Sequence, residues 1–252
     1  MNFFNSFLLT SLAGFSTLLG MLIIFFPKKD GKKIITASLG FAAGIMITVS
    51  LSDLLPEGFS LLKISRAEIP SFLIVLIFTV LGILISMTID KYLPDSEKHY
   101  KDGILYRIGI ISMLSIIIHN IPEGIATFIT SASDLSLGIT LTTAIALHNI
   151  PEGISIAVPI YYATGSKIKA FYYVLLSALS EPFGAIIAYL FLKPYMDHTI
   201  MGAIYAMIAG LMLYISFYEL LPTSFRYQKK KITYSFFILG CMIMLLSHFL
   251  FG

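Results

Sequence analysis

The chain has little charge and almost no cysteine. Only 12% of its 252 residues are Asp, Glu, Lys or Arg, against 57% hydrophobic. That balance lies outside the range of soluble domains and makes the lipid bilayer the solvent to reason with. The single cysteine, Cys241, excludes a disulfide framework and a cysteine-based zinc site; it is read as a small apolar packing residue. Strict polar–apolar alternation is also missing from the apolar runs, which argues against a membrane β-barrel. No second domain is visible, and residues 1–252 are expected to form a single transmembrane domain.

What is present is a series of apolar runs of the length that spans a bilayer, about 20 residues each. Eight qualify, near 3–26, 34–56, 70–89, 104–128, 136–160, 168–192, 200–222 and 232–251. The expected fold is therefore an all-α membrane protein with eight transmembrane helices. The first run lacks a basic leader and a small-residue cleavage site, so it reads as a helix rather than a signal peptide.

Charge placement orients the bundle. The connections after runs 1, 3, 5 and 7 hold Lys28, Lys29, Lys32 and Lys33; Lys91, Lys98, Lys101 and Arg107; Lys167 and Lys169; and Arg226, Lys229, Lys230 and Lys231. Only Lys63, Arg66 and Lys193 fall on the other side. By the positive-inside rule those four connections are cytoplasmic and both termini face outward. The net charge of +3 thus reports topology and implies no nucleic-acid partner. One histidine, His99, sits in the longest connection and is read as a solvated loop residue.

Two octets dominate the interior: His-Asn-Ile-Pro-Glu-Gly-Ile-Ala at 119–126 and His-Asn-Ile-Pro-Glu-Gly-Ile-Ser at 148–155. Runs 4 and 5 therefore repeat each other. A longer, fainter repeat relates runs 2 and 7. Ala43-Gly44-Ile45-Met46, Ser50, Asp53-Leu54-Leu55-Pro56 and Phe59 match Ala209-Gly210-Leu211-Met212, Ser216, Glu219-Leu220-Leu221-Pro222 and Phe225 at a constant offset. Run 2 heads outward and run 7 inward, so the motif lies near opposite faces, as inverted repeats of transporters require. Small residues at helical spacing (Gly40 and Gly44; Gly202, Ala206 and Gly210) allow close helix packing.

Each octet puts an imidazole, an amide and a carboxylate where hydrocarbon belongs, at a cost of roughly 2.5–3.5 kcal/mol for a charge at the bilayer centre. Positions i and i+4 share a helix face, so His119 with Glu123, and His148 with Glu152, are expected to converge on one point. Asn120 and Asn149 face a second point. Pro122 and Pro151 free the carbonyls of Ile118 and Leu147, the kind of helix break at which transporters build ion sites. Glu181, followed by Pro182, is a third carboxylate at similar depth, and no Lys or Arg lies mid-span to neutralise the three. Imidazole with carboxylate suits zinc, and added oxygen donors extend the range to iron and manganese. Three carboxylates would balance two nearby cations better than one, an expectation of two-metal occupancy. Asp53 and Glu219 lie near opposite faces and are read either as interfacial acids or as ligands at the two mouths of an ion path. Glu57, Asp90 and Asp134 read as helix-end charges.

The doubled octet, Glu181, the eight spans and Gly40-Phe-Ala-Ala-Gly-Ile-Met together resemble the ZIP metal transporters, and within them the bacterial ZupT subgroup, over essentially the whole chain. The resemblance implies a ZIP-like bundle in the bacterial cytoplasmic membrane that imports zinc and other divalent ions such as iron, manganese or cobalt. It implies no cofactor, the metal being substrate. It also implies one site at His119, Glu123, His148 and Glu152, and a second at Asn120, Glu123, Asn149, Glu152 and Glu181. Many members carry a histidine-rich loop between helices 3 and 4; here only His99 stands there, which speaks against loop-based metal sensing. A homodimer is left open.

Enzymatic alternatives fit worse. An intramembrane metalloprotease needs His-Glu-x-x-His, which is absent, and a di-metal oxidase prefers Glu-x-x-His pairs. A metal-selective channel uses the same acids as a carrier, and saturable flux without conductance separates the two.

Overall fold

The computed structural model describes residues 3–26, 30–92, 102–192 and 197–251. Among them there are eight long helices and no strand: α1 Phe3–Phe25, α2 Gly31–Lys63, α3 Glu68–Tyr92, α4 Gly103–Ser133, α5 Leu135–Thr164, α6 Lys167–Phe191, α7 His198–Arg226 and α8 Lys230–Leu250. All eight expected spans are helices, most of them a few residues longer than the apolar runs. Seven are long and apolar enough to cross a membrane by length and composition alone. The exception, α5, is 30 residues long, but His148, Asn149, Pro151 and Glu152 interrupt its apolar run. His99, with Lys28, Lys29, Lys98, Lys101 and Lys193, lies outside the described residues.

Short polar side chains start the helices by accepting from the otherwise unpaired amides of the first turn. Asp102 accepts from Leu105 N, Asp134 from Ser136 N and Leu137 N, Ser166 from Lys169 N, and Asp197 from Ile200 N. Asp134 behaves as the helix-end charge expected of it. Asp30 caps α2 through Lys33 N and also pairs with Lys229 at 2.5 Å, tying α2 to the start of α8. The Lys229 hydrogen bond, with smaller help from the Lys33 amide and both lysine charges, holds the Asp30 carboxyl below the usual carboxylate range. The stability this contributes is complete above the unfolded value near about 3.9 and is lost as pH falls through the lowered folded value. Asp30→Ala is expected to lower the melting temperature in detergent by about 2–4 °C at neutral pH. That difference should vanish in strong acid.

α4 and α5 are joined by the single residue Asp134 and pack along their length as an antiparallel hairpin at the centre. α1 lies against α5 and α6 against α4, while α2 packs on α8 and α7 on α3. The most apolar stretch of α2 is 83% buried, those of α3 and α8 only 17% and 22%; these two outer helices present their apolar faces outward. Close approach is made at glycine. Gly44 abuts the Phe237 carbonyl and Gly210 the Thr79 carbonyl; Gly153 abuts the Thr17 carbonyl and Gly124 the Glu181 carbonyl. Exchanging α1 with α6, α2 with α7, α3 with α8 and α4 with α5 turns each contact into its mate. Because α4 and α5 run antiparallel, that exchange turns the bundle upside down, which is an inverted repeat.

The repeat extends to local distortions. α2 widens into a π-turn at Ser50–Leu54 and α7 at Ile215–Leu220. Pro56 and Pro222 follow each distortion and have no amide hydrogen for the preceding turn. Ser50 Oγ donates to the Met46 carbonyl and Ser216 Oγ to that of Met212, both at 2.8 Å. The octet prolines behave differently from expectation: α4 and α5 continue as α-helix through Pro122, Pro151 and Pro159. Neighbours packed on both sides flank α4 and α5, and the distortions fall instead on α2, α7 and, at Leu179 and Ala188–Leu192, on α6.

Candidate metal site

The central hairpin brings the two octets face to face. His119, Asn120, Asn149, Glu152 and Glu181 are fully buried, and Glu123 and His148 are 3% and 6% exposed. The closest contacts run between helices rather than within them. His119 Nε2 lies 2.9 Å from Glu152 Oε1, and His148 Nε2 lies 3.6 Å from Glu123 Oε1. The four side chains expected to converge face one another across the hairpin, and their nearest contacts are crossed. Spacing of i and i+4 puts His and Glu on one face, but the facing helix supplies the nearer partner. The two contacts are exchanged by the pseudo-two-fold relation, and one is tighter than the other.

The second expected point is half assembled. Asn149 Nδ2 donates to Glu181 Oε1 at 2.5 Å and to the Ala13 carbonyl at 2.9 Å, while neither amide atom of Asn120 has a partner among the described residues. The symmetry mate of Glu181 is Thr17, whose buried hydroxyl is also unpartnered. The pseudo-symmetry is therefore broken at the one position that adds a third carboxylate. Pro182 lies one residue after Glu181, and α6 turns at Leu179 just ahead of it.

A set of polar atoms with no protein partner results. Glu123 Oε2, Glu152 Oε2, Glu181 Oε2, His119 Nδ1, Asn149 Oδ1 and both Asn120 amide atoms are buried without a hydrogen bond among the described residues. Buried polar atoms are nearly always satisfied in folded proteins, so this concentration of lone pairs is a site suited to a cation. No three His, Cys, Asp or Glu side chains among the described residues are already grouped around a common cation position; His119 and Glu152 hold each other instead, while His148 Nε2 is left without a hydrogen bond.

One half of the cluster is reachable. A cavity of about 130 Å³ runs along Asp53, Glu57 and Tyr205 to His148 and Glu123, room for a few water molecules. Asp53 lines it and contacts Nδ1 of His248 on α8. Glu57, expected to be a helix-end charge, lines the same cavity. Glu219, the mate of Asp53, sits at the opposite end beside Asp90 and Arg107. Asp90 is more than the helix-end charge expected. Arg107 pairs with its carboxylate at 2.8 Å and donates to its carbonyl at 2.6 Å, and Tyr214 OH donates to it at 3.1 Å. His248 and the Asp90–Arg107 pair escape a reading of the sequence because α3 and α8 share no visible motif; only the packing makes Asp90 and His248 equivalent.

Residues 94–248 match the model of the family described as ZIP Zinc transporter. The protein called zinc transporter ZupT in Streptococcus mutans is 45% identical over 98% of this chain and 98% of its own length. Those of Clostridium perfringens and Campylobacter jejuni are 41% and 40% identical, each over 99% of this chain and 97% of the relative. A family match over more than half of the chain, with relatives of this similarity aligned almost end to end, means that this multi-pass membrane protein belongs to the ZIP zinc transporter family and is a transporter rather than an enzyme.

Proposed function

We propose that the chain carries zinc, and other divalent cations such as iron, manganese and cobalt, into the cytoplasm across the bacterial inner membrane. Access alternates between the two faces, with residues 1–252 acting as one transport domain. The ligands are His119, Asn120, Glu123, His148, Asn149, Glu152 and Glu181. The observation that carries this reading is the group of unpartnered imidazole, amide and carboxylate atoms buried mid-bundle with no Lys or Arg among them. Neutral imidazole and carboxylate are the donors that zinc takes, and the oxygen surplus accommodates the harder first-row ions. Three carboxylates suit two ions held side by side.

The ion arrives through the cavity at Asp53 and Glu57 and meets Glu123 and His148 first. Binding there replaces the His148–Glu123 contact, and deeper binding replaces the His119–Glu152 contact. Both imidazoles must be unprotonated to act as ligands, so capture releases protons. The Lys/Arg distribution supports placing the Asp53 mouth and both termini outside and Glu219 inside. All seven ligands come from one chain, so a second copy is not needed to complete the site.

The test is flux into lipid vesicles containing the purified chain and a zinc-sensitive dye. Saturable influx without measurable conductance, reduced by iron(II), manganese or cobalt outside, is the expected result. Linear influx with a conductance would make the protein a channel, and no influx above empty vesicles would overturn the assignment.

A further inference from the structure

The pseudo-two-fold relation assigns a counterpart to every residue of the open cavity. Leu141, Ala144 and Met244 line it, and their mates are Ser112, Ser115 and Ser86. All three serines are fully buried, and none of their hydroxyls has a partner among the described residues. Other buried helical hydroxyls either bond back to the preceding turn, as at Ser50, Ser52, Thr127 and Ser216, or are unpartnered like these three, as at Thr17 and Thr142. What sets Ser115, Ser112 and Ser86 apart is their place as counterparts of the cavity lining: a row of hydroxyls leading by symmetry from the His119–Glu152 pair toward Glu219, with the composition of a wetted path now closed.

The two mouths differ in their charged groups. At the open mouth Asp53 faces His248 and Glu57 lines the same cavity. At the closed mouth Glu219 and Asp90, the mates of Asp53 and His248, are two carboxylates, and α4 adds Arg107. The mate of Arg107 on α5 is Ser136, so nothing equivalent stands at the open end. Arg107 holds both the side chain and the main chain of Asp90, tying α4 to the end of α3. It lies on the helix that carries His119 and Glu123, so no opening between α4 and α3 is compatible with this pair intact.

We propose that Arg107 is a tethered cation that latches the Glu219 mouth shut by holding Asp90, and that the path sealed behind it runs along Ser115, Ser112 and Ser86. This rests on the transport reading above. A guanidinium suits the task because it never loses its charge and its Nη2 here reaches the carboxylate and carbonyl of Asp90 together. Opening exchanges it for a divalent ion or for water, so the latch opposes simultaneous exposure of both mouths.

Thiol accessibility in a Cys241→Ala background tests it. Ser115→Cys reports the sealed path and its mate Ala144→Cys the open cavity, each probed with a membrane-impermeant thiol reagent from either side of the vesicle. With Arg107 present, Ala144→Cys should react from the Asp53 side and Ser115→Cys should be protected from both. Adding Arg107→Gln should speed Ser115→Cys labelling from the Asp90 side about two- to fivefold and slow Ala144→Cys. That is the scale on which loss of a partly exposed ion pair shifts a two-state population. Arg107→Lys should fall between the two, and Asp90→Asn should mimic Arg107→Gln if the latter does not fold. Equal protection of Ser115→Cys with and without the latch, in protein that still labels at Ala144→Cys, would overturn the proposal. Labelling does not depend on flux, so a wild-type chain that moves no zinc would sink the transport reading separately.

Discussion

Replacement of Glu152 by glutamine is expected to lower zinc influx about a hundredfold or more while leaving the protein as abundant and at least as heat-stable as the wild type. Glu152 is fully buried, its Oε1 facing His119 Nε2 and its Oε2 unpartnered. Glutamine has the same shape, and its carbonyl keeps the His119 contact, so packing changes little. What disappears is a buried charge, whose desolvation disfavours the fold unless a partner compensates. The variant therefore separates the two roles the carboxylate could have. A structural ion pair would leave transport intact or fail through loss of protein. A ligand would fail in transport alone, since even residues that only support a ligand cost about 10–100-fold when removed. A second readout does not involve flux. Zinc should raise the melting temperature of the wild type by mass action on the folded state, and that increment should be lost in Glu152→Gln. Unchanged uptake and an unchanged zinc-induced shift would remove Glu152 from the site.

The second large effect is expected at Gly124. A side chain there would fall on the carbonyl, carbon and Cα of Glu181, all backbone, so the obstruction cannot rotate away. Gly124→Val should separate α4 from α6, destabilise the bundle by about 1–3 kcal/mol, and draw Glu181 away from Asn149. Gly165→Asn is the contrasting substitution. Gly165 ends α5 with φ 71°, and a Cβ added there would meet nothing within 4 Å. Its need is a left-handed backbone rather than space, and asparagine is the residue after glycine that adopts that conformation most readily. Thermal unfolding in detergent should show a clear drop for Gly124→Val and little change for Gly165→Asn. Equal effects would mean that close helix approach contributes nothing special at Gly124.

Much of this architecture is legible along the chain because membranes limit the options. A segment in lipid must satisfy its own backbone, so an apolar run of sufficient length is a helix. His, Asn and Glu inside such a run stand out against it. The doubled octet marks the candidate site, and the fainter match between the α2 and α7 segments marks the inversion. The identity of α5 as a helix is read through its octet even though that octet is what lowers its apolar character.

Partner choice is another matter. Octet spacing determines which side of α4 and α5 the His and Glu side chains face, yet His119 meets Glu152 rather than Glu123, because the facing helix lies nearer than the next turn of the same one. Pro122 and Pro151 announce a broken helix, but neighbouring helices on both sides keep α4 and α5 continuous. Nothing in the sequence of α3 or α8 relates Asp90 to His248, or sets Arg107 beside Asp90; those equivalences arise when glycines let particular backbones touch. By itself the sequence determined the number of helices, the inverted repeat and the inventory of candidate metal-binding side chains, since each follows from local composition and the demands of the bilayer. Which ligands pair, which mouth stands open and which is closed were decided only by tertiary packing, because they depend on distances between helices that no residue encodes alone.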